Sequence, residues 1–263
     1  MTIIEAMEQR RSVRTFDGRG LAPDTVTQLR NIIDASSSPF GGNVSIGLNK
    51  YAVSGKLSPT TYGMIRGAEW YFLVAAGDDE DSSLSAGFRF EQVVLRAWQL
   101  GLGTCWLGGT FSKSDFDKDR TWPEDESLRI VCPVGSAAGE SLMGRVARFV
   151  AGSKNRKPFD SLFFNGDFGT SLDPADRFGT SLTMMRLAPS STNSQPWMAV
   201  VSGGSVHFYY KARSGFSVLD TGIGICHFSE AEKHYGHRGF FSKSDPGTAT
   251  PKGVRYLVSY IRE

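Results

Sequence analysis

The feature that most narrows what this chain can fold into is that its parts occur twice. Phe-Ser-Lys-Ser-Asp stands at 111–115 and again at 241–245, each time after a helical pattern, a glycine and a short apolar run. Gly87, Gln92 and Gly101 of the first helical pattern match Gly222, His227 and Gly236 of the second at one constant offset. Upstream, Pro39 and Asn43 share their spacing with Pro189 and Asn193. A lone pentapeptide recurs by chance; co-linear matches across whole helix–strand units point to two related halves, 1–155 and 156–263.

Hydrophobic spacing predicts an α+β chain, helices and strands alternating in both halves. Residues 2–10 pattern as a short helix, and Pro23 in a first turn followed by Val26, Leu29, Ile32 and Ile33 gives a second. Residues 36–47 read as a loop that leads into an extended segment at 49–53, and 69–76 as a buried strand. The strongest helical pattern, 83–100, carries Leu84, Phe88, Val94, Leu95 and Trp98 and ends at Gly101. Strands are predicted at 103–107 and 128–134, with a basic, irregular stretch at 137–157. Asp173 and Pro174 suit the N-cap and first turn of a helix that Pro189 stops. A hairpin at 197–201 and 206–210, a helix at 219–235 and a strand at 255–261 complete the reading.

Composition removes several function classes. A formal net charge of +2 lacks the basic excess of a nucleic-acid binder. The longest apolar run, 70–76, is far short of the roughly 20 residues that span a bilayer. The first ten residues carry Glu5 and Glu8 and do not read as a secretory signal. The expectation is a cytoplasmic protein with neither nucleic acid nor membrane as partner. Cys105, Cys132 and Cys226 have no paired spacing and read as buried thiols. His227, Glu230 and His234 would share one face of a helix, yet such histidines more often hydrogen-bond locally, and no metal is expected.

Four short segments can carry chemistry. In Arg10-Arg11-Ser12-Val13-Arg14 the guanidinium forks and the hydroxyl suit a phosphate, and in extended backbone Ser12 and Arg14 point the same way. The same arginines could equally complement the end of the first helix and lie in solvent. Pro189-Ser190-Ser191-Thr192-Asn193-Ser194-Gln195-Pro196-Trp197 is a rigid turn presenting hydroxyls and carboxamides, whose paired donors and acceptors suit the edge of a planar heterocycle. Gly101-Leu102-Gly103-Thr104-Cys105-Trp106-Leu107-Gly108-Gly109 is no dinucleotide fingerprint, since it follows a helix and has tryptophan at the third glycine position. Its terminal glycines would let a planar ligand approach the backbone, or merely turn the chain. Lys154-Asn155-Arg156-Lys157-Pro158-Phe159 is a small basic cluster.

Together these segments resemble the nitroreductase superfamily, whose members carry Arg-Arg-Ser-x-Arg, Ala-Pro-Ser-x-x-Asn-x-Gln-Pro-Trp, Gly-Leu-Gly-Thr-x-Trp-x-Gly-Gly and a basic Arg-Lys-Pro segment. The order departs from the family's. Where Asn-x-Gln-Pro-Trp should follow the arginines, this chain has Pro39-Phe40-Gly41-Gly42-Asn43 without Gln-Pro-Trp; the full element sits in the second half, which lacks Arg-Arg-Ser-x-Arg. That arrangement is similar to the single-chain, thermophile-type branch of the superfamily. It implies one pseudo-dimeric domain over 1–263, with two similar halves of antiparallel or mixed sheets flanked by helices that imitate the family homodimer, and with room for further assembly.

The resemblance further implies an FMN cofactor held by Arg10, Arg11, Ser12, Arg14, Lys154 and Arg156 at the phosphate. Pro189, Ser190, Ser191, Asn193 and Gln195 would lie at the ring or ribityl chain, and the amides of Leu107, Gly108 and Gly109 near the reactive nitrogen. The flavin would do the chemistry, with no catalytic side chain, drawing on NADH or NADPH and passing electrons by a ping-pong cycle to a small nitroaromatic or quinone acceptor. Phe40, Tyr62, Trp106 and Phe240 are candidates for the acceptor pocket. The alternatives are a flavin-binding sensor or store without turnover, and a structural protein that has lost flavin.

Overall fold

The computed structural model describes residues 1–53, 59–118, 121–139 and 156–263. The chain separates into two compact units, Met1–Gly152 and Ser153–Glu263. No helix among the described residues is long and apolar enough to cross a membrane.

The first unit opens with α1 (Ile3–Gln9), whose N-terminus is closed by a reciprocal box in which Thr2 Oγ1 accepts from Glu5 N and Glu5 accepts from Thr2 N. Helix α2 (Pro23–Ala35) starts on its proline and buries Val26, Leu29 and Ile33. Next come β1 (Val44–Lys50), β2 (Trp70–Ala76), α3 (Glu80–Gln99), β3 (Gly103–Thr104), the short α4 (Lys113–Asp117) and β4 (Ser127–Gly135). The strands form one antiparallel sheet in the order β1-β2-β4-β3. α3 lies against it, with Leu84, Phe88, Val94, Leu95 and Trp98 all buried.

The second unit holds β5 (Phe163–Asn165), α5 (Gly179–Leu187), β6 (Trp197–Ser202), β7 (Ser205–Lys211), α6 (Ser217–His234), β8 (Gly239–Ser242) and β9 (Val254–Arg262). Its sheet runs β5-β6-β7-β9-β8, parallel only between β5 and β6. Setting α1, the short α4 and β5 aside, each unit has the succession helix, hairpin, helix, strand, strand, and the order β1-β2-β4-β3 corresponds to β6-β7-β9-β8.

The two long helices also end alike. Gly101 (φ +80°) and Gly236 (φ +78°) sit in the left-handed region. In each case the glycine amide and the next amide turn back to the helix: Gly101 N to Trp98 O and Leu102 N to Ala97 O, Gly236 N to Lys233 O and His237 N to Glu232 O. These are two copies of one Schellman stop. The constant offset in the sequence therefore aligns equivalent structural positions. Phe-Ser-Lys-Ser-Asp behaves differently. At 111–115 it leads into α4, whereas at 241–245 its first two residues lie in β8. Both copies occupy the same link in the topology, but they have different backbone shapes.

α4, β5 and β8 are not expected from the sequence, and three of the boundaries that differ from the sequence reading have a clear physical cause. β1 begins at Val44, inside the expected loop, because β2 offers it an antiparallel partner from Val44↔Ala76 to Lys50↔Trp70. β3 stops after Thr104, and pairing with β4 resumes as a single bridge at Leu107↔Val131. α5 begins at Gly179 rather than at Asp173-Pro174. Asp173 and Asp176 instead cap two successive turns, accepting from Ala175 N and Phe178 N, and a Cβ on Gly179 would stand 2.0 Å from Pro174 O.

Candidate functional site

In the first unit the arginine-rich segment is fixed by close backbone approach. A Cβ on Gly103 would meet Val13 side-chain carbons at 2.6–2.9 Å, so only glycine lets the two strands come together. Ser12 thereby bridges Thr104, and Val13 N donates to Thr104 O at 2.8 Å. On the other side Arg66 N donates to Arg14 O (2.9 Å) and Phe16 N to Arg66 O (2.8 Å). Along this extended backbone Val13 and Phe16 are buried, while Ser12, Arg14 and Thr15 are exposed.

Arg10 is turned inward. It is 5% exposed, with Nε 3.8 Å from Oε1 of the fully buried Glu91. The same carboxylate accepts from Trp106 Nε1 at 2.9 Å. Arg10 Nη1 and Thr104 Oγ1 are buried and have no hydrogen-bond partner among the described residues. Two unsatisfied donors close to an outward-facing serine and arginine form a set that suits an anion with several acceptor oxygens. Arg11 lies half-buried between them. Lys154, expected to join this group, lies outside the described residues.

Along the strand end, Leu107 is buried and its amide already donates to Val131 O at 2.9 Å, so it is engaged within the sheet. Gly108 is half-buried and Gly109 exposed, with open space where a Cβ on Gly109 would stand. Cys105, Cys132 and Cys226 are buried thiols that form no disulfide among the described residues, and burial pushes the Cys105 and Cys132 thiols up. Trp106 also packs edge-on against Phe90, and Phe40 against Phe88, both within the hydrophobic interior; Tyr62 and Phe240 are exposed.

The second unit carries the hydroxyl- and amide-rich loop between α5 and β6. Thr192 (φ +50°), Asn193 (φ +55°) and Gln195 (φ +44°) all take left-handed backbone angles, and none of them is a glycine. An internal network holds them there. Ser190 Oγ accepts from Gln195 N (2.9 Å). Gln195, 2% exposed, accepts from Lys157 N at Oε1 (2.8 Å), and its Nε2 donates to Asn193 O (3.1 Å) and Oδ1 (3.2 Å). Arg156 donates to Asn193 Oδ1 and to Leu187 O, both at 2.7 Å. Gln195 and Arg156 are thus used in shaping the loop. Pro189, Ser190 and Ser191 are half-buried, and Thr192 and Asn193 exposed.

Two loop-holding residues were not foreseen as such. Lys157 Nζ donates to Ser194 O (2.6 Å) and Gln195 O (2.7 Å); burial, then Arg213 and Lys211, lower its pKa. Asp220, in the first turn of α6 and 2% exposed, accepts from Ser191 N at 3.0 and 3.1 Å and from Ser194 Oγ at 3.5 Å. Burial pushes its carboxyl up to about 6, against the opposing hydrogen bonds. Lys157 lay inside the basic cluster of the sequence. Nothing in the spacing of α6 marks Asp220, which meets the loop only in the folded unit. His227 of the same helix is fully buried with Nδ1 3.1 Å from Met184 O, and Glu230 accepts from Lys233 Nζ.

A family model described as "Putative TM nitroreductase" matches residues 2–232. Among solved structures, a Thermotoga maritima protein described as a "putative nitroreductase" is 21% identical with a TM-score of 0.66, the match covering 99% of this chain and 94% of that one. A nitroreductase family protein of Clostridium difficile is 15% identical with a TM-score of 0.44, covering 60% and 94%. A Desulfovibrio desulfuricans nitroreductase homologue in complex with FMN is 19% identical with a TM-score of 0.41, covering 52% and 87%. No curated protein matches the sequence.

Proposed function

The chain belongs to the TM nitroreductase family, and on that premise we propose that it is an FMN-dependent oxidoreductase taking electrons from NADH or NADPH to a small organic acceptor of the nitroaromatic or quinone type. The observation that carries this reading is the donor set of the first unit: the unsatisfied Arg10 Nη1 and Thr104 Oγ1, with Ser12 and Arg14 facing outward on the adjoining backbone. A flavin phosphate of charge near −2 calls for about two cations and several donors.

In this reading Arg14 and Ser12 meet the phosphate, with Arg11 and Lys154 adding charge. Arg10 stiffens the segment from within through Glu91 and turns Nη1 toward the ligand. Ser190, Ser191 and Asn193 offer polar groups to the ring or ribityl chain, while Gln195, Arg156 and Lys157 keep the loop in shape. Gly108 and Gly109 leave the backbone accessible. Bound FMN supplies the redox chemistry, accepting a hydride and passing electrons on. Each residue set occurs once in the chain, the arginine segment in one unit and the Gln-Pro-Trp loop in the other, so one FMN per chain is expected.

The test is the absorbance spectrum of the purified, FMN-loaded protein. Flavin bands at one equivalent per chain should bleach with NADH or NADPH and return when a quinone is added. A flavin that stays oxidised under both nucleotides would leave a binding protein without turnover. A colourless protein that does not quench FMN fluorescence on titration would end the proposal.

A further inference from the structure

We propose that Asp220 is the positioning residue of the Ser190–Gln195 loop: its ionised carboxylate holds the loop in the shape that receives the flavin, and protonation loosens that hold, so cofactor affinity falls on acidification. The inference rests on the flavin reading given above.

Three observations converge on Asp220. The first is geometric: both carboxylate oxygens reach the amide of Ser191, and one also reaches the hydroxyl of Ser194, so a single side chain grips the loop at two places. The second is backbone strain. Thr192, Asn193 and Gln195 sit in left-handed conformations that residues other than glycine seldom adopt, and such geometry persists only where its surroundings enforce it.

The third comes from the other unit. The constant offset that aligns α3 with α6 puts Ser85 in the place of Asp220. Ser85 Oγ donates to Gly41 O at 2.5 Å, on the corresponding loop between α2 and β1. Where one unit holds a loop carbonyl with a hydroxyl, the other holds a loop amide with a carboxylate. That change accompanies the appearance of the full Asn-x-Gln-Pro-Trp element.

The carboxylate grips the amide most strongly when charged, and the first-turn position in α6 favours the anion. Burial works against it and brings its titration to about 6. The charged groups on the elements around the loop are Arg156 and Lys157, which hold Asn193 Oδ1 and the Ser194 and Gln195 carbonyls, and Lys211 and Arg213, which act on Lys157. Asp220 is the carboxylate among these groups, and its own titration is the one that burial raises.

FMN binding to the full-length wild type and to Asp220→Asn is measured by fluorescence quenching between pH 5.0 and 7.5. The variant should bind about tenfold more weakly at pH 7.5. On acidification the wild type should lose about tenfold more affinity than the variant, since the titration of the FMN phosphate itself, near 6, is common to both. Parallel profiles with equal affinities would overturn the proposal and leave the flavin reading intact. No FMN uptake by the wild type at pH 7.5 would overturn the flavin reading, and this inference with it. Should Asp220→Asn fail to fold by far-ultraviolet circular dichroism, wild-type binding of riboflavin decides, because riboflavin has no phosphate. A loss of affinity centred near pH 6 supports the role, and a flat profile refutes it.

Discussion

Arg10 and Arg14 are four residues apart in one motif, and the fold gives them opposite tasks. Arg14 is exposed; Arg10 faces the buried Glu91. Removing one partner of a buried pair strands the other charge, so Arg10→Ala should cost about 3 kcal/mol of stability in a urea titration. Arg14→Ala should leave the urea midpoint in place and weaken FMN binding about tenfold, a separation that the sequence motif alone does not provide. Asp220 makes a second residue-level prediction, and here the sign matters. Its carboxyl is raised from 3.8 to about 6 on folding, so the neutral form is the one the fold favours. The stability it contributes is complete below pH 3.8 and is lost as the pH climbs through 6, by about 3 kcal/mol at most. Asp220→Asn should therefore unfold at higher urea than wild type at pH 7, with the gap reduced to about half at pH 5; an equal gap at both pH values would show that the burial cost lies elsewhere. The motif residues of both units could be found in the sequence because they are contiguous. Glu91 and Asp220 could not, because each meets its motif only through tertiary contact; Thr104 stands in a contiguous motif, but its place beside Ser12 comes from the fold.

At the level of elements, the helices were the most legible part of the fold. The 3.6-residue spacing marks α3 and a terminal glycine ends both α3 and α6, while α6, buried on nearly every side, depends on its packing. Short strands were read less well: β5 and β8 have three and four residues, too few for alternation to stand out, and they exist because a neighbouring strand accepts them. Equivalent helix positions also show where the units have diverged. Arg89 in α3 donates to Ser36 O and Oγ (3.0 and 2.9 Å) and to the carbonyl of Val44, the first residue of β1 (2.8 Å). The matching position in α6 is Gly224, where a Cβ would stand 3.2 Å from both Met185 Cε and Cε3 of Trp197, the first residue of β6. The tryptophan of the loop element thus fills the room that glycine leaves. Gly224→Ala should lower stability by about 1–3 kcal/mol through overpacking, measured as a reduced urea midpoint without change in m-value.

Across the whole molecule, the repeat was visible in the sequence, but its best-looking sign was the least faithful. Phe-Ser-Lys-Ser-Asp, an identical run, adopts two different conformations, while the sparse match of Gly87, Gln92 and Gly101 with Gly222, His227 and Gly236 marks positions with the same work. Gln92 clasps the backbone of Ser37 beyond the end of α2, and His227 meets Met184 O in the last turn of α5. Shared topology preserves roles and tolerates changes of residue type, which is why spacing outlasts identity.

The paired substitutions Ser85 with Asp220 and Arg89 with Gly224 also set the terms for anyone wishing to transplant the loop. Grafting residues 189–197 between α2 and β1 would place a tryptophan where Arg89 now reaches across, and would leave the amide at the Ser191 position facing a serine hydroxyl in place of a carboxylate. A working graft must carry Arg89→Gly and Ser85→Asp along with it. The transferable module is therefore a loop together with two positions, 220 and 224, on the helix that follows its hairpin, and the two units have ceased to be interchangeable parts.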